Sequence, residues 1–120
     1  MSQPTAAGQH VHVDIELNPE NQFHYRSRGL EARRIYLHRG DAVTFTCVDP
    51  FSIRFAGHSP FQETVLSSHQ EGMVQSHEWF VTAHIRDDAP HGIFPYTVEL
   101  KREVRVFQDH PEIVIESAPE

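Results

Sequence analysis

The segment HVHVDIEL at residues 10–17 alternates polar and apolar residues without a break. A period of two is typical of a half-buried β-strand, because successive side chains of a strand point to opposite faces. We therefore predict that the four apolar residues of this segment face a core and that its four polar residues face outward.

The same alternation recurs along most of the chain, and turn-forming residues separate the alternating runs. Seven or eight short strands at nearly regular spacing predict an all-β fold, an antiparallel Greek-key β-sandwich. A short turn at residues 39–41 joins two of the runs, so we expect those two strands to form a hairpin. The further runs lie at residues 33–38, 42–48, 51–55, 79–85, 94–100, 104–107 and 113–115.

Residues 57–77 break the pattern, since neither a strand nor a helix period continues through them. The sequence SPFQ at 59–62 has a capping serine followed by proline, which predicts one short helical turn inside a long loop. Loops of about 20 residues in compact domains are usually functional or disordered. We therefore predict an interaction surface here, formed by Phe61, Met73 and His91.

Three segments resemble the cupredoxin fold in order and spacing: IYLHRGDAVTF at 35–45, DPFSI at 49–53 and GIFPYTV at 92–98. The resemblance spans about residues 10–116. It implies that Phe51 stands where copper-carrying members have a histidine ligand, and Val98 where they have the cysteine ligand. Residues 101–103 stand where such members complete the site with histidine and methionine. The chain is thus more similar to small bacterial cupredoxin-like proteins that lack copper and have no assigned activity.

Length and composition favour one domain, with 120 residues and 38% hydrophobic residues. We predict a single domain at residues 10–116, between flexible tails at 1–9 and 117–120. The net charge of −7 argues against nucleic acid as a partner. The single cysteine, Cys47, cannot form an intrachain disulfide. No leader or membrane segment is recognisable, so we expect a cytoplasmic location and no membrane partner.

Ten histidines suggest a metal site as an alternative function. His10, His12 and Asp14 alternate along the first predicted strand, so their side chains share one face. Side chains two residues apart on a strand are about 6.5–7 Å apart, which allows two imidazoles to reach one ion. A solvated strand face would have the same sequence pattern.

All but one of the ten basic residues are arginines, and several cluster between residues 26 and 39. Arginine is favoured at interfaces, although a solvated strand face would also explain the cluster. Overall the sequence predicts a binding or interaction module for an unknown protein or small molecule, with no cofactor and possible self-association. The alternatives are a histidine-based metal-binding protein and, third, an enzyme with an unusual site in residues 57–77.

Overall fold

A computed structural model of the chain describes residues 8–70 and 78–116. These two ranges contain only β-strands, turns and irregular segments, so the predicted all-β class is confirmed. They hold no helix long and apolar enough to cross a membrane. The strands are β1 (His10–Leu17), β2 (Phe23–Ser27), β3 (Leu30–Glu31), β4 (Arg34–Leu37), β5 (Ala42–Cys47), β6 (Phe51–Arg54), β7 (Val65–Ser67), β8 (Trp79–His84), β9 (Gly92–Pro95), β10 (Thr97–Arg102), β11 (Arg105–Asp109) and β12 (Glu112–Ile115).

The division into one domain and two tails remains a prediction, and most of both tails lies outside the described residues. Gln9, however, is fixed to the body of the fold. Its backbone N–H donates to Asp41 Oδ1 at 2.9 Å, and its carbonyl accepts from the Ala42 N–H at 2.9 Å.

The first sheet, sheet I, has the strand order β3-β2-β1-β5-β8. Strand β1 is parallel to β5, and the other pairs in this sheet are antiparallel. The first strand therefore occupies the middle of sheet I, with a neighbour on each side.

The other strands form a four-stranded sheet, β11-β10-β6-β7, and a three-stranded sheet, β4-β12-β9. One long hairpin joins these two sheets into a continuous layer, which we call sheet II. Residues 92–102 run antiparallel to residues 105–115, and no residue is inserted or lost where β9 gives way to β10 and β11 to β12. The Tyr96 N–H bridges that junction by donating to the Pro111 carbonyl at 3.0 Å. Strands β6 and β7 extend one end of this layer beside β10, and β4 lies parallel to β12 at the other.

The core lies between the two sheets and is filled by alternate residues of the strands. Val13, Ile15 and Leu17 of β1 are buried as the alternation predicted, at 0%, 4% and 3% exposure. Val98 and Ile53 meet them from sheet II, both at 0%. Full burial of such a side chain contributes about 1.5–3 kcal/mol, so this layer of hydrocarbon accounts for most of the driving force for folding.

The predicted hairpin between residues 33–38 and 42–48 is wrong. Strand β4 pairs with β12 in sheet II, whereas β5 pairs with β1 and β8 in sheet I. Gly40 has a φ of 83°, which favours glycine, and the turn around it carries the chain from one sheet to the other.

The predicted helical turn at residues 59–62 is also absent. The Ser59 hydroxyl accepts a hydrogen bond from the Phe61 N–H at 3.0 Å and donates to the Glu63 carbonyl at 2.7 Å, which closes a tight turn instead. Strand β7 follows within the segment that the sequence analysis assigned to a loop.

A polar cluster joins the two sheets at the edge of the core. Asp109 of β11 accepts hydrogen bonds from the Tyr25 hydroxyl of β2 at 2.9 Å and from Arg33 Nη1 and Nη2 at 2.5 and 3.0 Å. Burial alone raises the pKa of Asp109, but hydrogen bonds from Arg33, the His110 N–H and Tyr25 outweigh it and leave the pKa below its ordinary value. Burial, followed by the Asp109 charge, raises the pKa of Tyr25. The folded state therefore favours an ionised Asp109 beside a neutral Tyr25.

We predict that Asp109→Asn lowers the free energy of unfolding by about 1.5–3 kcal/mol, because the change weakens hydrogen bonds to a charged, half-buried group. Urea denaturation followed by the fluorescence of Trp79, the single tryptophan, measures this difference. The control is Asp88→Asn, since the Asp88 side chain is 80% exposed. An exposed ion pair contributes about 0–1 kcal/mol.

The Asp109 contribution should also depend on pH. Because its folded-state pKa is lowered, its contribution is present above the unfolded pKa of about 3.9 and is lost as the pH falls through the folded value. The stability difference between wild type and Asp109→Asn should thus be constant near neutral pH and shrink in acid. An equal difference in stability between wild type and Asp109→Asn at neutral and at acidic pH would contradict this role of the Asp109 charge.

Candidate functional site

A cleft of about 490 Å³ lies on sheet II. Its floor consists mainly of apolar groups of β9 and the preceding turn, and its rim carries a guanidinium group and two imidazoles. The lining residues are Arg54, Ala56, His58, Pro90, Ile93, Phe94, Pro95, Tyr96, Thr97 and His110.

The cleft lies where β6 stops pairing with the long hairpin. Arg54, the last residue of β6, stands opposite Thr97. Continuing that register would place Ala56 opposite Pro95, but proline has no N–H to donate to a neighbouring strand. Gly57 then turns the chain away with a φ of 96°. One edge of β9 therefore faces a groove instead of a strand.

Three polar side chains flank the apolar floor. Arg54 Nη1 donates to Glu99 Oε2 at 3.3 Å, and its side chain is 49% exposed. This single long contact leaves most of the five guanidinium N–H donors available. His110 Nδ1 lies 3.2 Å from the Thr97 hydroxyl, and His58 is exposed on the segment that leaves β6.

The three residues of the predicted interaction surface differ in their positions. Phe61 is 1% exposed and its ring packs edge-on against Phe55, with 5.6 Å between the ring centroids. Its prediction as a surface residue is wrong, because an aromatic side chain in a turn gains more by entering the core. Met73 lies outside the described residues. His91 is exposed between Pro90 and Gly92, at the margin of the cleft.

Sequence reasoning did not find the cleft. Its lining comes from three distant parts of the chain, which only the strand pairing brings together. One local signal was available, since a proline in an alternating run indicates a strand edge that lacks a partner.

The predicted metal ligands lie in one row on the outer face of sheet I. All three side chains are exposed, and the rings of His10 and His12 stack with 4.5 Å between their centroids. His10 Nε2 is 2.7 Å from Thr44 Oγ1, and Asp14 Oδ1 accepts from the Thr46 hydroxyl at 2.5 Å. Within residues 8–70 and 78–116, no group of three or more His, Cys, Asp or Glu side chains is arranged to hold one ion.

The positions that correspond to copper ligands in the cupredoxin resemblance do not fit a type 1 copper ion. Phe51 and Val98 are 5% and 0% exposed, and neither side chain has a donor atom for a metal. Cys47, the only thiol, is buried on β5 in sheet I, and its sulfur accepts the Asp49 N–H at 3.5 Å. Burial raises the pKa of this thiol and outweighs that hydrogen bond. No electron-transfer step through copper can be derived from these residues.

Two residues of the 57–77 segment that could have suggested catalysis have structural partners. The Ser68 hydroxyl accepts the Phe51 N–H at 2.8 Å, and the His69 ring packs against Phe80 with 4.4 Å between centroids. Residues 71–77 lie outside the described part of the chain, so the prediction of an enzyme site there stays untested.

Part of the arginine cluster forms intramolecular contacts. Arg33 binds Asp109, Arg34 binds Glu112, and Arg39 donates to the Ala89 carbonyl at 2.7 Å. These three arginines therefore connect segments of this chain.

Comparison with known proteins adds a distant likeness. No family model matches the chain, and no curated protein matches it. A crystal structure of rusticyanin is similar, with a TM-score of 0.49 and 12% sequence identity over 94% of this chain and 80% of that chain. The all-β structure fits the predicted cupredoxin-like fold. The likeness assigns no function to this chain.

We predict that Cys47 is protected in the folded protein. Because burial raises its pKa and covers the sulfur, reaction with a disulfide reagent should be at least about 100-fold slower in the native state than in denaturant. Following the release of the coloured thiolate with and without guanidinium chloride measures both rates. Comparable rates in the two conditions would contradict burial of the sulfur.

Proposed function

We propose that this protein is a binding module whose ligand occupies the cleft on sheet II, and that the ligand is a small molecule with an apolar body and a carboxylate. The observation that carries the proposal is the combination of an apolar floor along β9 with the guanidinium group of Arg54 at the rim.

The floor supports binding of a hydrocarbon group. Ile93 is 57% exposed, although it lies at the centre of a strand, and Pro90 and Pro95 stand beside it. Covering apolar surface contributes about 25 cal/mol per Å² removed from water. A cleft of about 490 Å³ is also within the range of about 300–1,000 Å³ that small-molecule sites occupy.

The rim supports an anionic group on the ligand. Arginine presents a planar set of N–H donors that matches a carboxylate, and Arg54 has only one long contact with Glu99. His58 and His110 add ring nitrogens to the lining of the cleft. A ligand without an anionic group would leave these donors without a new partner.

The proposal includes a role without copper, because hydrocarbon side chains occupy the two ligand positions implied by the resemblance. A non-enzymatic role and a cytoplasmic location remain predictions. The cleft also makes a small molecule a better candidate than a folded protein, because a concave site encloses a compact ligand on several sides.

Benzoate and benzyl alcohol are suitable probes, because they share an aromatic body and differ in charge. We predict that the wild-type protein binds benzoate more tightly than benzyl alcohol, and that Arg54→Gln removes this preference. A hydrogen bond to a charged group contributes about 1.5–3 kcal/mol, so benzoate affinity should fall about 10–100-fold. Two-dimensional NMR titration gives both the affinities and the residues that respond.

The matched control is Lys101→Gln. It removes one positive charge from the same sheet, about 13 Å along β10 from Thr97, and should leave benzoate affinity unchanged. An Ala56→Trp variant, which fills the groove, should weaken both probes. If shifts occur away from β9, or if Arg54→Gln and Lys101→Gln behave alike, the cleft is not the binding site.

A further inference from the structure

We infer that the outer face of sheet I holds a second, independent site, at which His10 and His12 bind one divalent transition-metal ion with Thr44 fixing the orientation of His10. This site lies on the opposite side of the sandwich from the cleft and does not depend on the ligand proposed for it.

The strand pairing places the two imidazoles above small hydroxyl side chains. His12 stands directly opposite Thr44 of β5, and Thr44 stands opposite Thr82 of β8. Beta-branched and small neighbours leave room above the sheet, so the two rings can stack with an interplanar angle of only 21°. Because the nitrogen lone pairs of stacked rings run nearly parallel, binding of one shared ion requires a ring to rotate out of the stack.

A chain of hydroxyl groups anchors one of these rings. Thr44 Oγ1 lies 2.7 Å from His10 Nε2 and 2.7 Å from Thr82 Oγ1. When Nε2–H donates to Thr44 and the Thr44 hydroxyl donates to Thr82, His10 Nδ1 has a lone pair for a metal. Metal-binding histidines commonly donate their other ring N–H in this way, which fixes the tautomer. Thr44 is 7% exposed, so its hydroxyl is held beneath the ring and shielded from water.

The structure also limits how many ligands the chain supplies. Asp14 lies about 13 Å along the strand from His10, so these two cannot contact the same ion. Asp14 is in addition bound to Thr46. Together with the lack of a convergent group of three donors within the described ranges, this gives a site with two protein nitrogens and the remaining positions filled by water. The predicted set of three ligands is thereby reduced to a pair.

The chemistry of the pair determines which ion it should bind best. Imidazole nitrogens suit zinc, nickel and copper, and affinity for such donors generally peaks at Cu²⁺ among divalent first-row metals. We therefore expect Cu²⁺ to bind more tightly than Zn²⁺, and neither Mg²⁺ nor Ca²⁺ to compete.

Calorimetric titration of the full chain with Cu²⁺ at neutral pH tests the site, with electron paramagnetic resonance of the complex to count nitrogen ligands. His10→Ala and His12→Ala should each weaken the tightest binding by about tenfold or more. The spectrum should show two coordinated nitrogens in the wild type and fewer in each variant. Thr44→Val, which keeps the shape of the side chain, should weaken binding about tenfold.

His24→Asn is the matched control, because His24 is another exposed imidazole on sheet I, where it stands opposite Glu16. It should leave the tightest site unchanged. For Thr44→Val, NMR of the His10 ring nitrogens separates orientation from a purely structural effect, since the tautomer populations should shift while the fold stays intact. Equal Cu²⁺ affinity in the wild type and in the His10→Ala/His12→Ala double variant would overturn the proposal. Equal losses in His24→Asn and His12→Ala would also overturn it.

Discussion

Every strand in the interior of this sandwich must bury one of its faces between the two sheets. The pleat makes that requirement periodic, so every second residue of β1, β5 or β10 is committed to the core. A polar or ionisable side chain at such a position would lose its hydration without compensation unless a partner is supplied. Asp109, which links the two sheets, satisfies this condition by accepting hydrogen bonds from Tyr25 and Arg33. Side chains that bind ligands or react must therefore lie on the outer faces, at the edges or at the ends of the sandwich.

The position of the cleft follows from the strand pairing of the long hairpin of sheet II. Its register runs without interruption from Gly92 to Ile115, so the outward and inward positions never exchange along it. Pro95 occupies an outward position within that ladder, where it satisfies the pairing with β12 but offers no donor to β6. Pro95 thus keeps the pairing of β9 with β12 and ends the pairing on the side of β6. A groove results beside a rigid strand, which is a better platform for a ligand than a loop, because strand residues are already ordered before binding.

Local sequence patterns predicted the individual strands well, but they predicted poorly which strands pair with each other. The alternation at residues 10–17 located β1 and placed its histidines on one face, since a period of two depends only on the geometry of one strand. A turn such as that around Gly40 is compatible both with a hairpin and with a crossing to the other sheet, and the sequence contains no signal that distinguishes them. The error at Phe61 has a similar origin, because a lack of periodicity was taken to mean exposure. His58 and His110 both line the cleft although they are far apart in the chain, so no single window of sequence could contain the cleft.

The two proposed sites take ligands of opposite charge on one acidic molecule, and this requires that local charge outweigh net charge. At physiological ionic strength the screening length is about 8 Å, which is shorter than the distance of about 10 Å across two packed sheets. Each site therefore responds mainly to its own neighbours. Around the cleft these include Arg54, whereas His10 and His12 lie in the same row as Asp14. The core between the two faces is hydrocarbon, so occupancy of one site should have little influence on the other. The buried layer that stabilises the fold thereby also separates the face proposed to bind an anion from the face proposed to bind a cation.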